Sequence, residues 1–253
     1  RREIRQEFGV DADQVETLDD YLRVVDRCFE NIVARGGVGL KSSISAARSL
    51  EFPKTDRAAA EKVFAMKPPK LTPREARDFE NYVMHVIVQK SIEYHLPFQI
   101  HTGTSFAGYS RDDNGRADHL FSLIAAYPEA QFDLFHGGFP YPGESARLAG
   151  RFPNVYLNFA WFTWLAPTEA RHALSSWIEM VPMHKFLWGG DSAYVEESYG
   201  AFLLSRHIVA DALYDKIQEG WLDEATALEF ARGMFHDNAM SIFDLSEHSA
   251  SGE

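Results

Sequence analysis

The sequence predicts an α/β fold whose parallel strands form a β/α barrel. Short apolar segments alternate with helical segments five times, at intervals of roughly thirty residues, and this alternation is typical of parallel βα units. The apolar segments are continuous, as expected for strands that are buried on both faces. Several end in polar side chains, which favours a barrel, because barrel active sites gather at the carboxyl ends of the strands. A doubly wound sheet has the same alternation, but no glycine-rich phosphate-binding motif follows any predicted strand.

The individual helices are predicted from apolar residues at helical spacing and from signals at their ends. In the first helix, Thr17 is the expected N-cap, and Gly36 and Gly37 end the pattern. In a later helix, Thr72 is the expected N-cap and Pro73 takes the first helical position. The predicted helices are 15–37, 56–66, 71–95, 115–129, 143–153, 168–182, 194–220 and 223–243. The predicted strands are a short one ending at Lys41, 97–101, 131–136, 154–160 and 184–191.

Composition and charge limit the classes of partner. The chain has 253 residues, of which 45% are apolar and 25% charged, which is typical of a globular domain with a sizeable core. The formal net charge of −12 argues against nucleic acid and anionic membranes, because both repel an acidic surface. The single cysteine, Cys28, cannot form an internal disulfide, and no apolar run resembles a membrane span or a signal peptide. These features predict a cytoplasmic protein with a small-molecule partner and leave a homo-oligomer open.

Three predicted strands end in side chains that bind metals or transfer protons. His101 stands at the end of the apolar run in HLPFQIHTG, His136 in QFDLFHGG and Asp191 in HKFLWGGDS. In a barrel the three side chains would converge on one mouth, and imidazole and carboxylate are the expected ligands of Zn²⁺ and related ions. A lone histidine at a strand end is more often structural, but three such residues at equivalent positions favour a shared site.

Four further residues are candidates for substrate contacts. Lys41 ends the first strand and Arg48 follows it, so each is a candidate for binding an anionic group. Asn158 and Trp161 lie at the end of a later strand, where they are candidates for lining a pocket. Simpler interpretations stay open: a solvated charge for Lys41, a surface position for Arg48 and core packing for Trp161.

Several motifs resemble the amidohydrolase superfamily, specifically its amidohydrolase 2 branch. The similar segments are LPFQIHTG, FDLFHGGFPYPGESARLAGRFPNVYLNFAW, KFLWGGDS and ARGMFHDNAMSIFDL. The segment GGVGLKSSISAARSLEF is similar to the sub-branch found fused to glutamine-synthetase-like domains, and aminocarboxymuconate-semialdehyde decarboxylase is a more distant relative. The resemblance runs from about Asp19 to Leu245 and implies a TIM-type (β/α)8 barrel of metal-dependent hydrolases.

The resemblance also implies roles for individual residues. His101 matches a metal ligand, His136 matches a histidine that acts at the metal, and Asp191 matches a ligand that also shuttles protons. The His-x-His pair of the superfamily has no match in this sequence. The chain is therefore predicted to lack the N-terminal βα units of the barrel. Its single barrel domain is expected over 1–245 and a polar tail over 246–253.

The predicted function is hydrolysis of a C–N bond in a small molecule by a metal-activated water. The metal is expected to be Zn²⁺, with Mn or Fe as alternatives, and to be bound by His101, His136 and Asp191. Asp191 would take the proton of the water while His136 polarises the scissile carbonyl. Two alternatives stay open: a non-oxidative decarboxylase on the same scaffold, and a non-catalytic barrel if the N-terminal metal ligands are absent.

Overall fold

The computed structural model describes residues 15–66, 71–105 and 110–245 and contains a sheet of five parallel strands. The strands are β1 (Leu40–Ser42), β2 (Phe98–His101), β3 (Phe132–Phe135), β4 (Val155–Asn158) and β5 (Phe186–Leu187). They lie side by side in chain order, so every crossover moves one position in the same direction. A doubly wound sheet would reverse direction at a switch point. The order therefore confirms the predicted barrel connectivity.

The helices lie between and after these strands. Their bounds are α1 (Leu18–Ala34), α2 (Arg57–Ala65), α3 (Pro73–Glu93), α4 (Phe121–Ala126), α5 (Pro142–Arg151), α6 (Phe162–Leu165), α7 (Pro167–Ile178), α8 (Val195–Gln218), α9 (Glu224–Arg232) and α10 (Asn238–Ile242). Both predicted N-caps are confirmed. The hydroxyl oxygens of Thr17 and Thr72 accept hydrogen bonds from the third helical N–H, and the acidic side chain at that position accepts from the cap N–H in return.

The core lies between the sheet and the helices that cover it. All four side chains of β3 are buried, as expected for a strand with both faces covered. Neighbouring strands align Phe98, Phe132 and Val155 in one row, and all three are at most 2% exposed. Full burial of a side chain of this size stabilises the fold by about 1.5–3 kcal/mol. This row lies at the amino ends of β2, β3 and β4 and fixes the three strands relative to one another.

Two predicted elements are shorter or more broken than the sequence pattern indicates. The predicted helix 115–129 is a 3₁₀ turn, Ala117–Leu120, followed by the short α4, which ends before Tyr127 because the residue after Tyr127 is Pro128. The predicted helix 223–243 is interrupted by a π-helical turn, Gly233–Asp237. Gly233 has a low helix propensity. The side-chain amide of Asn238 donates hydrogen bonds to the carbonyls of Met183 and Phe186.

The last predicted strand, 184–191, is also too long. Only Phe186–Leu187 pairs with β4, while Lys185 lies in a 3₁₀ turn. The buried Nζ of Lys185 donates to the carbonyls of Ala149 and Phe152 at 2.7 and 2.6 Å. The backbone N–H of Lys185 donates to the Pro182 carbonyl at 3.0 Å, within the turn, instead of to a neighbouring strand.

Across the described ranges, no helix is both long and apolar enough to cross a membrane. The predicted tail, 246–253, lies outside these ranges.

Candidate active site

The carboxyl ends of β2, β3 and β5 bring His101, His136 and Asp191 together. His101 is the last residue of β2, His136 directly follows β3 and Asp191 follows β5. The two imidazole centroids are 4.2 Å apart, and Nε2 of His136 lies 3.5 Å from Oδ2 of Asp191. The predicted convergence of these three side chains at one end of the sheet is confirmed.

The backbone at this end of the sheet is strained. His136, Trp161 and Asp191 have φ values of +74°, +62° and +44°, in the left-handed region that residues other than glycine rarely adopt. Strain of this kind costs of order 1–3 kcal/mol for each residue and is concentrated at functional sites. Three such residues in mutual contact indicate a site that is built for function.

His136 presents an unprotonated nitrogen to Asp191. Its Nδ1 lies 3.3 Å from the carbonyl oxygen of Ala160, and because a carbonyl only accepts, Nδ1 carries the proton. Burial, with the nearby His101 and Lys41, lowers the pKa of His136 to about 2, so the ring is neutral and Nε2 holds a lone pair. Within the described part of the chain, this buried Nε2 has no hydrogen-bond partner.

His101 is held in the opposite tautomer. Its Nε2 lies 2.9 Å from the carbonyl oxygen of Thr104, so Nε2 is the protonated nitrogen. Burial is the main cause that lowers the pKa of His101, and the neutral ring then carries its lone pair on Nδ1. A metal bound at Nε2 of His101 would require this contact with Thr104 to be released.

Trp161 contacts both His136 and Asp191. Its ring stacks on His136 with the centroids 4.3 Å apart, and its Nε1 donates to the backbone carbonyl of Asp191 at 2.8 Å. The N–H of Phe162 donates to the Ala160 carbonyl at 2.7 Å, which makes Trp161 the central residue of a strained γ-turn. Trp161 therefore lies beside His136 and Asp191, and its contact with substrate stays a prediction.

Lys41 supplies a cation near the site. Its Nζ lies 3.0 Å from the centroid of the Phe135 ring. Desolvation by its neighbours lowers the pKa of Lys41 to about 8, against the opposing attraction of Asp191 and Asp133. Because the side chain is still partly exposed, an anionic group of a ligand can reach it.

A buried carboxylate that the sequence interpretation missed lies beneath the site. Asp133 in β3 is fully buried, and its Oδ2 accepts from Gln99 at 2.9 Å and from Asn158 at 3.0 Å. Burial raises the pKa of Asp133 to about 6. The available signal was an aspartate in the middle of the apolar segment FDLF. Asn158 was expected to line a pocket, but it is buried and its amide is committed to Asp133 and to the N–H of Ala160.

Arg48 is not brought into the site. Its guanidinium donates to the carbonyls of Ser49 and Glu51 and to the side chains of Glu80 and Asn81. Only 10% of the side chain is exposed. The predicted substrate contact of Arg48 is therefore replaced by a structural one, in which it fastens the segment after β1 to α3.

A separate groove of about 730 Å³ lies between α8 and α9. Its lining is mostly apolar, with residues such as Phe202, Leu213 and Leu228. None of the strand-end residues lines it, so this groove is separate from the candidate active site.

The strand-end residues supply some, but not all, of the ligands that a metal ion needs. Among the described residues, no three His, Cys, Asp or Glu side chains are arranged to hold a metal ion. The orphaned Nε2 of His136 beside the Asp191 carboxylate is nevertheless a suitable pair of donors for a divalent cation. The third expected ligand, His101, has its Nε2 engaged by Thr104.

Parallel strands in barrel order, with two histidines and an aspartate at their carboxyl ends, define a β/α-barrel protein with a histidine–aspartate site. The chain belongs to the amidohydrolase family, whose model matches residues 52–245. It is 28% identical over 231 residues to protein fluG of Emericella nidulans, an alignment that covers 85% of this chain and 26% of that protein. The chain thus spans about a quarter of the length of this relative.

Solved structures share the fold. A Lactobacillus casei protein assigned as a metal-dependent hydrolase has a TM-score of 0.79 and 19% identity, over 92% of this chain and 61% of that one. Uronate isomerase of Thermotoga maritima has a TM-score of 0.78 and 19% identity, over 96% and 56% of the two chains. Glucuronate isomerase of Caulobacter crescentus has a TM-score of 0.77 and 17% identity, over 97% and 54%. At these identities the likeness shows the fold alone.

Proposed function

We propose that this domain is part of a metal-dependent hydrolase that cleaves a C–N bond of a small molecule. The observation that carries the proposal is the buried, unprotonated Nε2 of His136, 3.5 Å from the Asp191 carboxylate at the carboxyl end of the sheet. Membership of the amidohydrolase family supports the reaction class. The net charge of −12 supports a small molecule, rather than nucleic acid or an anionic membrane, as the partner.

The cofactor in this proposal is a divalent metal, with Zn²⁺ preferred over Mn²⁺ or Fe²⁺. His136 and Asp191 would hold it, joined by His101 once its Nε2 is released from Thr104. We propose that the remaining ligands come from outside the described residues, since the chain covers only 54–61% of the structures with this fold. A metal of this kind acts as a Lewis acid that polarises a carbonyl and makes water more acidic.

The protein's own groups divide the remaining chemistry. The Asp191 carboxylate, whose side chain is 34% exposed, is accessible to water and would accept a proton from the attacking water. The C–N bond then breaks and Asp191 returns that proton to the leaving nitrogen, so that one water is consumed and a carboxylic acid and an amine are formed. His136 contributes through the metal that its unprotonated Nε2 would hold, which would polarise the scissile carbonyl, and Trp161 stacks against the His136 ring. Lys41 attracts an anionic group of the substrate.

Labelled water tests this reaction class. The full-length protein with its metal is incubated with a panel of small amides in ¹⁸O-water, and the products are analysed by mass spectrometry. We expect one ¹⁸O in the carboxylic acid for each amine released. Loss of CO₂ from a carboxylated substrate, without formation of ¹⁸O-labelled acid, would contradict hydrolysis and indicate a decarboxylase. A protein that binds metal but converts no member of either class would support a non-catalytic barrel.

A further inference from the structure

A buried series of hydrogen bonds connects Asp133 to His136. Oδ2 of Asp133 accepts from Nδ2 of Asn158 at 3.0 Å. Oδ1 of Asn158 accepts from the N–H of Ala160 at 3.1 Å, and the Ala160 carbonyl accepts from Nδ1 of His136 at 3.3 Å. The final bond is the one that leaves Nε2 of His136 with its lone pair.

The same segment also reaches Asp191. The residue after Ala160 is Trp161, whose ring stacks on His136 and whose Nε1 donates to the Asp191 carbonyl. Its φ of +62° is strained, so this turn persists only where surrounding contacts hold it. The bond from Asn158 to the N–H of Ala160 is one of those contacts.

We infer that Asp133 and Asn158 are positioning residues, which hold the turn at Ala160 and Trp161 and thereby fix the tautomer and orientation of His136. Both side chains are buried, at 0% and 3% exposure, so they act through this turn and not on substrate. The inference rests on the proposed function, in which His136 is a metal ligand. The tautomer itself is measurable without substrate.

A purely structural role would not explain the carboxylate. Asp133 stands in the middle of a buried strand, and Oδ1 has no hydrogen-bond partner among the described residues. An apolar residue of similar size would avoid the desolvation of a charge at this place. The carboxylate is instead aimed at the amides of Gln99 and Asn158, where it sets which end of the Asn158 amide faces Ala160.

The test compares three variants with the wild type. Asp133→Leu and Asn158→Leu keep the approximate side-chain volume and remove the hydrogen bond between residues 133 and 158. Asp133→Asn instead keeps an acceptor oxygen for Asn158. The readout is the tautomer of His136 in chelator-treated, ¹⁵N-histidine-labelled full-length protein, with the resonance assigned from a His136→Gln sample. We expect the Nδ1–H form in the wild type and Asp133→Asn, and a mixture of tautomers in both leucine variants. Turnover of the metal-loaded leucine variants should fall about 10–100-fold, as for residues that orient a metal ligand.

Unfolding measurements separate positioning from stability. The pKa of Asp133 is raised in the folded state, so ionisation disfavours folding as the pH rises from about 4 to about 6. Asp133→Asn removes that effect and should raise the unfolding midpoint at pH 8, with little change at pH 4. A folded leucine variant that keeps His136 entirely in the Nδ1–H form would overturn the inference, and Asn158→Leu gives the same test if Asp133→Leu does not fold. Failure of hydrolysis with the tautomer shift intact would overturn only the proposed function.

Discussion

Asp191→Asn is expected to lower turnover by at least about 10²–10⁴-fold, the contribution typical of one general acid–base group. The amide keeps the size and shape of the carboxylate but accepts no proton from water at neutral pH. It also removes the charge beside Nε2 of His136, 3.5 Å away, and so weakens metal binding. Steady-state kinetics of the metal-loaded full-length protein measure the effect.

The matched control is Asp112→Asn. Asp112 is an exposed aspartate in a 3₁₀ turn, Asp112–Gly115, and its substitution should leave turnover within about twofold, as expected for a surface change. Near-wild-type turnover of Asp191→Asn with metal bound would reduce Asp191 to a strand-end residue without a catalytic role.

Gly103→Ala is expected to destabilise the protein by about 3 kcal/mol. Gly103 has a φ of +72°, which costs a residue with a Cβ about 1–2 kcal/mol. The added Cβ would lie 2.1 Å from the Phe139 carbonyl oxygen and 2.7 Å from the backbone carbon of Gly138, and overpacking of this kind adds about 1–3 kcal/mol. Chemical denaturation monitored by circular dichroism measures the free energy of unfolding.

Gly103→Ala should also disturb the backbone contact that holds His101 in the candidate active site. The N–H of Thr104 donates to the Phe139 carbonyl at 2.7 Å, and the Thr104 carbonyl holds Nε2 of His101. Gly143→Ala is the control, because its Cβ would meet no atom within 4 Å and the position is helical. This control should be neutral or stabilising by up to about 1 kcal/mol. Equal stability of the two variants would contradict the close backbone contact at Gly103.

The sequence predicted well which side chains lie at or just after the carboxyl ends of the strands, because each one has a local signal. Continuous apolar runs followed by His101, His136 or Asp191 are visible without any knowledge of tertiary contacts. Parallel pairing then places all carboxyl ends at one edge of the sheet. The N-caps at Thr17 and Thr72 were equally local and were also predicted correctly.

The errors arose where tertiary contacts decide the structure. Arg48 is an ordinary loop arginine in the sequence, and only the fold shows that α3 supplies Glu80 and Asn81 as its partners. The role of Asp133 depends on Asn158, which is 25 residues away in the chain. No pattern in the sequence indicates such a pair. Strand and helix ends shifted for the same reason, since pairing and side-chain contacts override local propensity.

Zinc binding by the full-length protein tests the central claim most directly. Isothermal titration of chelator-treated wild type, His136→Ala and the exposed control His172→Ala would measure the affinity of each. We predict wild-type affinity for His172→Ala and a loss of at least about 100-fold for His136→Ala, beyond the 10–100-fold typical of a residue that only supports a ligand. Equal zinc affinity in all three proteins would contradict a metal site at the ends of these strands.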